Sequence, residues 1–150
     1  MKLRYPPILQ ALVAGLVAWC LKLLFPKLDV TLPWSELIAV TIGLAGVLIT
    51  VKAVGVFSAN QTTINPIEPE KVSALVTDGL YRYSRNPMYL GLLLVVIGFA
   101  IFLQNLSSIL GVVLFIFSMT QFQIKPEERV MSDKFGQNYK DYKARVRRWL

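Results

Sequence analysis

Four long apolar runs limit what this chain can fold into. Residues 8–25 are interrupted only by Gln10 and Lys22, and residues 34–57 carry charge only at Glu36 and Lys52. Residues 87–103 and 106–124 carry no charged side chain. At a helical rise of about 1.5 Å per residue each run measures roughly 26–36 Å, against a hydrocarbon core of about 30 Å. The runs lack the alternation of half-buried strands, and only helices or closed barrels satisfy the backbone in lipid. The expected fold is therefore an all-α integral membrane protein in one domain of 150 residues. Its four transmembrane helices are expected at about 8–25, 34–57, 87–103 and 106–124, with polar segments at about 58–86 and 125–150. Lys2 and Arg4 resemble the start of a leader, but no A-x-A site follows and Trp19 precedes Cys20, so the first run is expected to remain.

Composition narrows the function classes. A chain that is 55% hydrophobic with a net charge of +7 points to anionic lipid head groups as the partner, rather than to nucleic acid. Cys20 is the single cysteine and histidine is absent, which excludes an internal disulfide, a zinc site of the usual kind and a histidine base. No metal is expected.

The basic residues are unevenly divided. Lys2, Arg4, Lys52, Lys71, Arg82, Arg85 and every Lys and Arg from Lys125 onward fall on one side of a four-span arrangement, and only Lys22 and Lys27 on the other. The positive-inside rule then puts both termini in the cytoplasm, together with the 58–86 loop and a tail expected to form an amphipathic helix on anionic lipid.

Within that polar face the stretch YRYSRNPMYLG, residues 81–91, crowds cations and aromatics against the mouth of the third run. Asn86-Pro87 is a helix start, since Asn caps well and Pro at the first helical position gives up no needed N–H. The unpaired N–H groups and dipole of that first turn, with Arg82 and Arg85, suit a carboxylate or phosphate. Tyr81, Tyr83 and Tyr89 add flat faces and hydroxyls. The same residue types are also ordinary at a membrane interface. A second cluster, KPEERV at residues 125–130, reads as another helix start at Pro126, with Glu127 and Glu128 suited to its first turn. The hairpin of the third and fourth runs, turned at Gln104-Asn105, brings this cluster back beside Arg85 and Asn86. An anion-binding helix end facing carboxylates fits a zwitterionic ligand.

The ordered set LVTDGLYRYSRNPMYLG, then EE, then FGQNYKDYKARVRRW resembles the isoprenylcysteine carboxyl methyltransferase family and its phospholipid methyltransferase relatives, over about residues 62–149. The resemblance implies S-adenosyl-L-methionine as cofactor and a lipophilic acceptor. Carried over by position, it implies cofactor contacts at Arg85, Asn86, Pro87 and Tyr89, at Tyr81, and in the segment 73–76, which includes Leu75 and Val76. Of the pair Glu127 and Glu128, it makes the first the better-placed ligand. Two positions depart from the family pattern. Asn86 stands where the eukaryotic enzymes have histidine. Gln123 stands four residues before Glu127, where those enzymes have an arginine that meets the substrate carboxylate, so Gln123 is the candidate substrate-binding residue. The related membrane sterol reductases, which use NADPH, fit less well, because Met88 and Leu92 replace the Asn and Glu of their motif. A non-catalytic membrane scaffold or lipid-binding protein is the third reading.

Overall fold

The computed structural model describes residues 5–59 and 75–150, so most of the 58–86 loop lies outside the described residues. Those residues form helices α1 (Pro7–Leu24), α2 (Ser35–Ala59), α3 (Pro87–Phe102), α4 (Ile109–Ser118) and α5 (Lys125–Arg145). No strand occurs among them, only an isolated bridge between Asp29 and Asn105. Among the described residues, three helical stretches are long and apolar enough to cross a membrane: Pro7–Leu24, Ser35–Val56 and the run Leu106–Arg145. Leu9, Leu12 and Leu16 of α1, and Leu37, Leu44 and Leu48 of α2, are exposed. Apolar surface of this extent is costly in water and at rest in lipid. The third expected helix is apolar but spans 16 residues, about 24 Å at the helical rise, which falls short of the hydrocarbon core. Pro87 fixes its start, and the turn at Gln104, with φ of 50°, lies just past its end.

α3 is the central element, packed against α1, α2 and α4. Its contact with α2 is backbone to backbone. A Cβ on Gly91 would lie 2.5 Å from the Gly46 carbonyl oxygen, and one on Gly98 would lie 2.7 Å from that of Ala39. Small residues of this kind let membrane helices approach closely where no hydrophobic force drives them together. Thr50 Oγ1 donates to its own helix at Gly46 (2.9 Å) and leans towards the Met88 carbonyl (3.4 Å). Gly111 of α4 packs in the same way against Ala14 and Ala18 of α1. On the other side of α3, Tyr89, Leu93 and Val96 meet Phe115, Met119 and Ile124, which are fully buried.

Polar contacts tie the end of the bundle remote from the glutamates. Asn105 Nδ2 donates to the Phe25 carbonyl (2.9 Å) and to Asp29 Oδ1 (2.8 Å), and its Oδ1 accepts from Ser107 N (2.9 Å). The Gln104 carbonyl accepts from Val30 N at 2.9 Å. The expected hairpin turn thus also anchors the connection between α1 and α2.

An α-helix starts where the sequence predicts, α5 carrying Pro126, Glu127 and Glu128 in its first turn, but it is not set apart from α4: the two join directly through a π-helical turn, Met119–Ile124. Lys125 N–H bonds to the Thr120 carbonyl, five residues back. The wider ladder carries the chain to a proline with no N–H to offer, so the helix passes Pro126 unbroken. The break comes later, at Gly136, whose φ of 51° and ψ of −120° divide α5 into two arms. The tail therefore does not run outward as one amphipathic helix. Tyr139 and Tyr142 of the second arm are buried, and Trp149 packs against the α3–α4 core.

Candidate functional site

The two polar clusters of the sequence meet at the N-terminal end of α3. Tyr89, in the first turn of α3, is 4% exposed, and its hydroxyl donates to Glu127 Oε1 at 2.7 Å. Gln123, fully buried within the π-helical turn, donates from Nε2 to the same carboxylate oxygen and reaches the Tyr89 hydroxyl at 3.5 Å. The four-residue spacing that puts Gln123 and Glu127 on one face thus makes a direct contact. Glu127 itself stays partly accessible. Tyr89 and Gln123 both donate to this carboxylate and help to orient it.

Glu128 has a different environment. Arg148 grips it with both prongs of its guanidinium, Nε to Oε1 at 2.9 Å and Nη2 to Oε2 at 2.8 Å. Arg85 Nη1 lies 3.2 Å from Oε1, and Lys143 Nζ lies 3.8 Å from Oε2. Burial works to raise the Glu128 pKa, but the hydrogen bonds from Arg148 and the charges of Arg85, Arg148 and Lys143 prevail and hold it below the ordinary carboxylate range. On its outer side Glu128 borders a cleft of ≈ 400 Å³ whose walls include Lys125, Arg129 and Lys143.

Arg85 is nearly buried, with 8% of its side chain exposed, and beyond the Glu128 pairing its Nε and Nη1 have no hydrogen-bond partner among the described residues. A buried guanidinium that pairs with Glu128 and bonds Tyr139, yet keeps an Nε without a hydrogen-bond partner among the described residues, is the atomic feature that most directly fits an anionic ligand group. Arg82, expected to share that role, points away and pairs with Asp78 at 3.6 Å on the exposed surface. Tyr83 is likewise exposed.

Asn86 occupies the position before α3, but its side chain does not cap the helix. Its Nδ2 donates instead to the Arg148 carbonyl at 2.9 Å, and its own backbone N–H is satisfied by Ser84 Oγ at 3.1 Å. The capping role expected of Asn86 is corrected accordingly: the folded-back tail competes for the amide, leaving the first-turn N–H groups of α3 without that cap. Pro87 is fully buried at the first helical position, as its fixed φ favours.

Tyr81 and Val76 are buried together with Ala53 of α2, with Leu80 and Met88 packed against them, and Leu75 is half-buried. Burial pushes the Tyr81 hydroxyl up, with the neighbouring Tyr142 and Glu127 adding to the effect. The Tyr142 hydroxyl is also raised, first by burial, and donates to the Tyr81 carbonyl at 2.7 Å. Of the segment 73–76, only Leu75 and Val76 fall within the described residues.

Arg148, Tyr142 and Ser84 join the candidate site without having been singled out by the sequence. The run Arg147-Arg148-Trp149 offered one signal, a bulky aromatic next to paired cations after a glycine break. Nothing local distinguishes Arg148, which turns inward, from Arg145, whose Nε leans on its own helix at the Asp141 carbonyl.

Fold and site together define an all-helical integral membrane protein with a buried, charge-rich cluster at the mouth of its central helix. Residues 34–138 match the phospholipid methyltransferase family, and the chain belongs to that family. It is 30% identical to the protein-S-isoprenylcysteine O-methyltransferase of Dictyostelium discoideum over 138 residues, 90% of this chain and 56% of that protein. It is 33% identical to the enzyme of that name from Rattus norvegicus over 123 residues, covering 75% of this chain and 43% of the rat protein. A 63-residue match at 48% identity covers all of an uncharacterized protein of Haemophilus influenzae and 42% of this chain. The chain thus spans about half the length of the named methyltransferases it resembles. Among the described residues no group of side chains is suited to hold a metal ion.

Proposed function

We propose that this protein transfers a methyl group from S-adenosyl-L-methionine to a lipophilic acceptor at the cytoplasmic face of a membrane. The observation that carries the reading is the convergence of Glu127, oriented by Tyr89 and Gln123, with the donor-rich, buried Arg85 at the N-terminal end of α3. The cofactor ends in an amino acid and carries a ribose and an adenine. Arg85 and the first turn of α3 would hold its carboxylate, and Glu127 would accept from its ammonium or ribose hydroxyls. Tyr81, Tyr89, Val76 and Leu75 would supply the apolar and aromatic walls. When bound, the cofactor supplies an electrophilic methyl on a sulfonium, which needs neither metal nor covalent enzyme intermediate. The task left to the chain is alignment and exclusion of water, and a site set among buried tyrosines, Tyr81, Tyr89, Tyr139 and Tyr142, is suited to both.

All four apolar helices cross in this arrangement, α3 using its flanking turns to complete the span, with both termini cytoplasmic. The acceptor enters from the bilayer between helices. Gln123 is committed to Glu127 and Tyr89 inside the fold, so position 123 offers no cationic fork for an acceptor carboxylate. An acceptor with a neutral or amine head fits best, and a lipophilic acid would have to be held by tail arginines. The test is incubation of the purified protein with radiolabelled cofactor and a total lipid extract. Label appearing in the lipid phase supports the reading, and label that stays wholly in the aqueous phase opposes it.

A further inference from the structure

Residues 146–149, after the second arm of α5, return to the mouth of α3 and touch it at several points. Arg85 N–H donates to the Arg147 carbonyl at 3.0 Å. Asn86 Nδ2 donates to the Arg148 carbonyl at 2.9 Å, and Ser84 Oγ approaches the same oxygen at 3.5 Å. The Arg148 side chain turns in the opposite direction and forks onto Glu128, which also pairs with Arg85. Trp149 follows, packed against the core that contains Tyr89. One residue thereby holds two sides of the same opening. Its carbonyl fixes the Asn86 amide, and its guanidinium fixes the carboxylate that anchors the Arg85 side chain.

We propose that Arg148 is a positioning residue for the cofactor site: acting through Glu128 and through its own carbonyl, it sets the orientation of Arg85 and Asn86 without touching the ligand. In this scheme Glu128 is the hub of an internal ion cluster rather than a cofactor ligand. Glu128 is 7% exposed and faces three cations. Both its oxygens are occupied by Arg148, whereas the neighbouring Glu127 keeps an accessible edge. Charge balance supports the division. A carboxylate gripped by a bidentate guanidinium has little to offer an incoming ammonium, whereas removing the guanidinium would let Glu128 draw Arg85 wholly to itself. The Arg85 Nε, which has no hydrogen-bond partner among the described residues, would then be withdrawn from the ligand.

The proposal rests on the cofactor reading above, and one calorimetric series separates the two. S-adenosylhomocysteine is titrated into wild type, Arg148→Ala, Arg148→Lys, Glu128→Gln and Arg145→Ala, each well below its own melting temperature. No binding to wild type would defeat the cofactor reading itself. With wild-type binding in hand, Arg148→Ala is expected to lose at least tenfold in affinity. Arg148→Lys should recover part of the loss, because a point charge keeps the attraction but not the fork. Glu128→Gln should weaken binding in the same direction, and Arg145→Ala, which removes the same charge from a side chain outside the cluster, should change affinity less than twofold. A lowered melting temperature in Arg148→Ala with unchanged affinity would overturn the proposal, leaving Arg148 a purely structural residue. Should Arg148→Ala fail to fold, Arg148→Lys decides alone: a loss of threefold or more sustains the proposal, and wild-type affinity ends it.

Discussion

Adjacent glutamates with the same intrinsic chemistry are placed in different surroundings by the fold. Glu127 accepts from the Tyr89 hydroxyl and the Gln123 amide, and Glu128 meets three cations. Glu127→Ala should weaken S-adenosylhomocysteine binding by about 1–3 kcal/mol, the cost of a charge-assisted hydrogen bond in a protected site, while the fold without ligand is retained. Unchanged affinity in the folded variant would reduce Glu127 to a helix-start acid. At position 123 the structure sharpens the outcome for arginine. Gln123→Arg would put a cation in a buried space already bonded to Glu127, so it should pair with that carboxylate and weaken cofactor binding before it could serve a substrate carboxylate. A methylation assay on a prenylated cysteine analogue checks this, and a gain of activity in Gln123→Arg with cofactor affinity unchanged would refute it. The sequence made Arg85, Tyr89, Glu127 and Gln123 legible, because their spacing on either side of a hairpin brings them together whatever the details of packing. It could not distinguish Asn86 as cap from Asn86 as donor to Arg148, because that choice depends on a carbonyl 62 residues away.

Among the elements, the first three apolar runs match helix positions within about two residues, since a span is fixed by the length of apolar chain, whereas the fourth, expected at 106–124, is α-helical only over Ile109–Ser118 and passes into a π-helical turn. α1 was expected at 8–25 and lies at Pro7–Leu24, and α2 was expected at 34–57 and lies at Ser35–Ala59. The π-helical turn is not legible in the sequence, because its residues, Met119–Ile124, carry no composition that marks it. The tight α2–α3 contact makes a further prediction. Gly91→Val would drive side-chain atoms into the Gly46 carbonyl and Thr50, and should destabilise the protein by about 1–3 kcal/mol or more, read as a lower melting temperature in detergent. A wild-type melt would mean the two helices do not meet there. The return of the tail is tied to pH through Glu128, whose folded-state pKa lies below its ordinary value of 4.5. Its stabilising effect is therefore complete above that ordinary value and is lost as pH falls through the lower, folded-state one. Acid titration at low pH should release Trp149, visible in its fluorescence, and Glu128→Gln should abolish that step. An acid transition that persists in Glu128→Gln would assign it to another group.

At the scale of the whole molecule, the exposed leucines of α1 and α2, the small-residue seams and the basic polar end belong to one arrangement: a bundle that faces lipid around its sides and concentrates its chemistry at one end. Reporter fusions at Asp29 and at Leu150 should fall on opposite sides of the membrane if all four apolar helices cross, and a common side would require a different number of spans. The central claim is that the cluster around Arg85 and Glu127 binds an S-adenosyl cofactor, and titration of S-adenosylhomocysteine into the purified protein, with NADPH as the comparison ligand, tests it most directly. Saturable binding of S-adenosylhomocysteine, weakened in Glu127→Ala, with no binding of NADPH, is the predicted result. Binding of NADPH in its place, or of neither ligand, would contradict it.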